Sequence, residues 1–154
     1  MAEQNHVPME ELEVFKRFVE FADWVWETVR AWPDFARNTT GKQLVDAADS
    51  IGANLVGGDG RYSDAEAIQF FRIARGSARE SRYWLTRAMS RGLVKPEVGN
   101  FQLEHLKSAT QMLNKLISYR RSTKNANMIR ESQTPYGSMD LSFCTQPVIS
   151  DEDA

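Results

Sequence analysis

Between Ser63 and Gly92 the chain reads SDAEAIQFFRIARGSARESRYWLTRAMSRG, with no proline inside it. Ser63 followed three residues later by Glu66 is the capping-box pattern, in which two amides left over at a helix start are satisfied reciprocally. Gly92 closes the stretch with the residue type that most readily leaves helical geometry. The spacing predicts one helix, helix 3, from Ser63 to Arg91, a rod of roughly 40 Å at 1.5 Å per residue. Ile73, Ser77, Trp84, Phe70, Ala88, Ala74, Leu85, Phe71 and Met89 cover about 160° of its circumference, whereas a bundle helix needs about 100°. The surplus fits either packing on two sides within one bundle or an interface between copies, with Phe71 and Met89 as the interface residues expected.

The flanks repeat the pattern. Helix 1 is expected from Met9 to Ala31, with Phe15, Phe18, Ala22, Val25, Val29 and Trp32 stepping by three and four until Pro33. Helix 2 runs from about Thr40 to Leu55, with Leu44, Ala48, Ile51 and Leu55 on one face, and stops at Gly57-Gly58-Asp59-Gly60. Helix 4 starts near Pro96, which suits a first turn because it has no amide to leave unpaired. Its stripe is Leu103, Leu106, Thr110, Leu113 and Ile117, ending near Arg121. No segment alternates with period two, so no sheet is expected. Short connections favour antiparallel neighbours, giving an all-α, up-and-down four-helix bundle over residues 1–124. Residues 125–154, with Pro135, Gly137 and Pro147 among Ser, Thr, Gln and Asp, read as an acidic disordered or partner-binding tail, with Tyr136 and Phe143 as anchors.

Composition narrows the function. The chain has 154 residues, 42% hydrophobic and 26% charged, which describes a folded domain. It has no run of 18 apolar residues, so no membrane helix is expected. The N-terminus lacks the basic start and apolar stretch of a signal peptide. Cys144 is the only cysteine, so no intrachain disulfide forms and a cytoplasmic location is the simple reading. The net charge of −2 hides a segregation. Residues 1–60 carry 5 Lys/Arg and 11 Asp/Glu, residues 61–130 carry 14 and 5, and residues 131–154 carry none and 5.

Catalytic chemistry finds no footing. The one Glu-x-x-His pair is Glu3 and His6 near the terminus, and a helical di-metal site needs two such pairs. Glu104 and His105 are adjacent and point to different faces. Cys144 lies in the tail, and Ser77 lies in an apolar stripe, so neither has a base positioned to activate it. The glycine run at 57–60 lacks the Gly-Lys-Ser/Thr ending of a phosphate loop and reads as a turn. Asn54, beside Ile51 and Leu55, is expected to bond a neighbouring backbone group or helix. No cofactor, metal or catalytic residue is expected.

One constellation stands out. Arg72, Arg75, Arg79 and Arg82 fall within about 80° of helix 3, along roughly 15 Å. Guanidinium groups so spaced suit a line of phosphates, with Tyr83 at the edge of the face and Arg61, Arg120, Arg121 and Lys124 in support. The competing reading pairs the row with acids, those of helix 1 (Glu13, Glu20, Asp23 and Glu27) or those of a second copy.

Ser50-Ile51-Gly52-Ala53-Asn54-Leu55, Gly58-Asp59-Gly60-Arg61-Tyr62-Ser63 and Phe70-Phe71-Arg72-Ile73-Ala74-Arg75-Gly76-Ser77 with Glu80 resemble a known pattern. It is that of the small bacterial four-helix bundle proteins first noticed in intervening sequences of large-subunit ribosomal RNA genes. The likeness extends from about Phe15 to Arg121, and Ala74-Arg75-Gly76-Ser77 is its most specific part. Gly52 stands where the family usually has Pro, and Gly57 where it usually has Glu, so no role of that carboxylate carries over. The resemblance implies a homopentameric ring without catalytic residues. It also implies similarity to the accessory protein of diversity-generating retroelements, which binds nucleic acid and a reverse transcriptase. Two functions follow as expectations: a non-enzymatic, homo-oligomeric protein that binds RNA or DNA beside such an enzyme, or a protein-interaction scaffold whose tail recruits a partner.

Overall fold

The structure is a computed structural model and describes residues 6–133. Its four long helices are α1 (Glu13–Arg30), α2 (Lys42–Asp59), α3 (Asp64–Ser90) and α4 (Pro96–Gln133), and no strand occurs among the described residues. Packing joins α1 to α2, α2 to α3, α3 to α4 and α4 back to α1. The helices therefore occupy the corners of a square, with α1 diagonal to α3 and α2 diagonal to α4. At one end Met9 N donates to Asp59, and Arg120 reaches Asp64. At the other end Arg91 donates to Thr40. The topology is up-down-up-down.

The core is a single apolar column. Phe18, Phe21 and Val25 of α1 meet Leu44, Ile51 and Leu55 of α2, Phe71 and Leu85 of α3, and Leu113 and Ile117 of α4. On α1 the stripe is displaced from the one the spacing suggested. Val14 and Phe21 are buried, while Phe15 and Ala22 are only half-buried and line the seam with α2. Two overlapping stripes satisfy the same three-four rhythm, and only the neighbour decides which one faces inward.

Local chemistry explains the boundaries. At the start of α3 the Ser63 hydroxyl oxygen accepts from the Glu66 amide at 3.2 Å. The Glu66 carboxylate accepts from that same hydroxyl, not from the Ser63 amide, so half of the capping box forms. Gly92 ends the helix at φ 73, with the Leu93 amide donating to Ala88 O and the Gly92 amide to Met89 O. This is the Schellman arrangement. Gly57 and Gly58, expected to stop helix 2, lie inside α2. A Cβ on Gly58 would fall 2.8 Å from Phe70 Cβ, so the glycine allows α2 and α3 to meet closely. The start of α2 is preceded by a single turn at Asp34–Ala36 and a π-turn at Arg37–Gly41.

The last helix departs most from expectation. α4 continues through Lys124 to Gln133, so the boundary expected at 124/125 falls within a helix. Among the residues whose burial is described, its last buried one is Ile117, and those from 118 to 130 are mostly exposed. Apolar periodicity reports which turns are packed, and unpacked turns remain helical where no proline or glycine intervenes. Tyr136, Phe143 and Cys144 lie outside the described residues. Among the described residues no helix is long and apolar enough to cross a membrane.

Candidate nucleic-acid interface

The arginine row forms one wall of a groove between α3 and α4. Arg72, Arg75, Arg79 and Arg82 face Leu103, Lys107, Thr110 and Gln111 across an open volume of about 850 Å³. All four arginines are exposed. Arg75 donates to Asn114 Oδ1 at 3.0 Å, which holds one guanidinium at the mouth. Among the described residues, no carboxylate lies within ion-pair distance of any of the four. Among the described residues, Glu104 is the one acid lining the groove.

Three of the four acids of α1 are engaged elsewhere, and the fourth, Asp23, lines the seam with α2. Glu13 pairs with Arg17 at 3.2 Å, Glu27 with Arg30 at 3.4 Å, and Glu20 approaches His105 at 3.6 Å. α1 is also diagonal to α3, which removes it from the row altogether. Pairing of the row with helix 1 inside one protomer is thus excluded by topology. Arg72, Arg75, Arg79 and Arg82 are consecutive neighbours at three and four residues, and like charges so placed weaken a helix by about 0.2–0.5 kcal/mol per pair. An anion laid along the groove reverses the sign of that cost.

The supporting cations divide. Arg120 donates to Asp64 at 3.0 Å and to Asp59 at 3.4 Å, with its side chain only 22% exposed, so it ties the helix ends together. Arg61 lies over the Phe70 ring at 4.3 Å and donates to Gly57 O. Both are fixtures of the fold. Arg121 and Lys124 are exposed on α4. Arg121 continues the stripe of Lys107, Gln111 and Asn114, which recurs within about 80° of the helix circumference. Lys107 was not singled out from the sequence, because only the pairing of α3 with α4 shows which α4 face meets the arginines. Tyr83 is 56% exposed and stacks edge-on against Trp84 at 5.0 Å.

Of the two interface residues expected between copies, Phe71 needs correction. Phe71 is fully buried in the protomer's own core. Met89 packs over Gly99, where a Cβ would come within 2.4 Å of its sulfur. The broad apolar arc of α3 is consumed largely by two neighbours: Phe70 covers Gly57 and Gly58, Ser77 bonds Ser50 of α2 at 3.0 Å, and Trp84 packs on the core. Ile73, 48% exposed, is what the arc leaves outside. Asn54 donates to Ser50 O at 2.8 Å, one turn back on its own helix.

A family model described as 23S rRNA-intervening sequence protein matches residues 10–115. The chain belongs to that family. A solved structure of a protein of unknown function from the S23 ribosomal protein family of Bacteroides thetaiotaomicron VPI-5482 has the same fold, with a TM-score of 0.61 at 24% identity. The likeness covers 68% of this chain and 97% of that one. No curated protein matches. The family match ends at residue 115, so it spans the arginine row and Lys107 but not Arg120, Arg121 or Lys124.

Proposed function

We propose that this 23S rRNA-intervening sequence family member is a non-enzymatic, homo-oligomeric, cytoplasmic protein that holds RNA or DNA along the α3–α4 groove. In this reading it serves as an accessory to a nucleic-acid enzyme such as a reverse transcriptase. The observation that carries it is the row of four exposed arginines, without a carboxylate partner among the described residues, facing Lys107 across one groove. Phosphates at single-strand spacing fit a row of about 15 Å, and phosphate contacts position a strand without specifying its sequence. Assembly into a ring of five, as the resemblance implies, would repeat the row around the oligomer and multiply its potential.

The test is binding of a labelled oligonucleotide at two salt concentrations. Four phosphate contacts to a single strand release counterions so that affinity falls about 50-fold between 50 and 200 mM salt. Affinity independent of salt, or no binding at 50 mM, contradicts the reading. In that case the arginines are left to pair with acids of a neighbouring copy.

A further inference from the structure

The square arrangement sets a second groove back to back with the arginine groove. It lies between α1 and α2, with a volume of about 370 Å³. Its floor is apolar and mostly small: Phe15 and Ala22 from α1, and Ala48, Gly52, Ala53 and Val56 from α2. Val56 is 40% exposed and Ala53 is exposed beside it, so the floor is open to solvent. Small residues let a third helix approach to the 8–10 Å axial distance of ordinary helix packing. The stretch from Phe15 to Ala22 is about 10 Å long, or two helical turns. Asp23 and Asp49 line this groove. Burial, then the Asp23 and Asp46 charges, push the Asp49 carboxyl above its usual range.

We infer that the α1–α2 groove is a docking site for a basic amphipathic helix of a different protein. Such a helix places an apolar stripe of about two turns on the Phe15–Val56 floor and a Lys or Arg beside Asp23 and Asp49. Charge decides among the occupants. Residues 134–154 of this chain carry four acids and no Lys or Arg, so the acidic lip repels them. A second copy offers its basic face on the side opposite its own acidic groove. Docking of that kind would cover the arginine row that the proposed function assigns to nucleic acid. A cationic helix from another protein meets neither obstacle, and the arginine groove on the far side stays free. The two grooves make the bundle an adaptor, with a polyanion on one side and a cationic helix on the other.

A display library of helical peptides, randomised at charged and apolar positions and selected on the full-length protein, tests this. Enriched peptides should carry an i, i+3/i+4, i+7 apolar stripe flanked by Lys or Arg. Their affinity should fall at least tenfold on Asp23→Asn/Asp49→Asn, and be lost on Ala53→Trp, which fills the floor from an exposed position. Selection without a cationic bias, equal affinity for both variants, or no saturable binding overturns the proposal. So does a change in oligomer size in either variant by light scattering, which assigns the groove to a second copy. Circular dichroism of each variant confirms that its fold is intact, and oligonucleotide affinity should be unchanged in both.

Discussion

Arg120 of α4 and Asp64 of α3 are joined by a hydrogen bond of 3.0 Å, and the same guanidinium reaches Asp59 at the end of α2. Three helices meet at one cation. Asp59 also accepts the Met9 amide, so the chain ahead of α1 is fastened to the same point. The contrast with Arg72, Arg75, Arg79 and Arg82 separates the two uses of arginine in this protein. One is enclosed by carboxylates, and the others face open solvent.

Replacing Arg120 with Ala should therefore cost stability and spare binding. Hydrogen bonds to charged groups contribute about 1.5–3 kcal/mol each when partly buried, and the two carboxylates would be left facing each other. Urea denaturation should show a loss of about 2–3 kcal/mol. Oligonucleotide affinity should change less than twofold.

Phe71→Asp places a carboxylate where no part of the side chain meets solvent. Removing the ring alone costs about 3–5 kcal/mol, and an unpaired buried charge adds to that. The variant should be unfolded or aggregated at 25 °C, with its helical circular dichroism lost. A folded but dissociated protein would show that Phe71 belongs to an interface after all.

Two glycines should respond with opposite sign to alanine. A Cβ on Gly76 meets nothing within 4 Å, in the middle of α3, so Gly76→Ala should stabilise by about 0.5–1 kcal/mol. Gly58→Ala presses on Phe70 Cβ at 2.8 Å and on Phe71 at 2.9 Å, and should destabilise by about 1–3 kcal/mol. Chemical denaturation of both variants measures the difference.

Asp49 gives a pH signature. Its folded pKa is raised, chiefly by burial and then by Asp23 and Asp46, so the fold favours the protonated form. The stability this group contributes is present below 3.8, its ordinary value, and is lost as pH rises through the folded value. Asp49→Asn should remove that loss, and its melting temperature should exceed the parent's at pH 7 and converge with it near pH 3.

The bundle was legible because its signals are local. Ser63, Gly92 and Pro96 mark helix ends by their own chemistry, and each stands where that chemistry places it. The errors lie where a neighbour decides. Phe15 and Phe21 each fit an apolar stripe on α1, and only the position of α2 selects between them. Gly57 and Gly58 look like a helix stop until Phe70 is placed against them. Arg120 and Arg121 are adjacent and chemically identical, yet one is bound by Asp59 and Asp64 and the other is exposed. The arginine row itself was plain from helical spacing. Its lack of acidic partners among the described residues was not, because that depends on α1 lying diagonal to α3.

The most direct measurement is the affinity of Arg75→Glu/Arg79→Glu for a single-stranded oligonucleotide across a salt series, on protein shown to be folded and of unchanged size. Both side chains are exposed and neither has a carboxylate partner among the described residues, so the fold should survive. The account predicts binding weakened by at least tenfold on every sequence tested, with the logarithmic salt slope reduced by about 1–2. Unchanged affinity and slope in a folded double variant would contradict it.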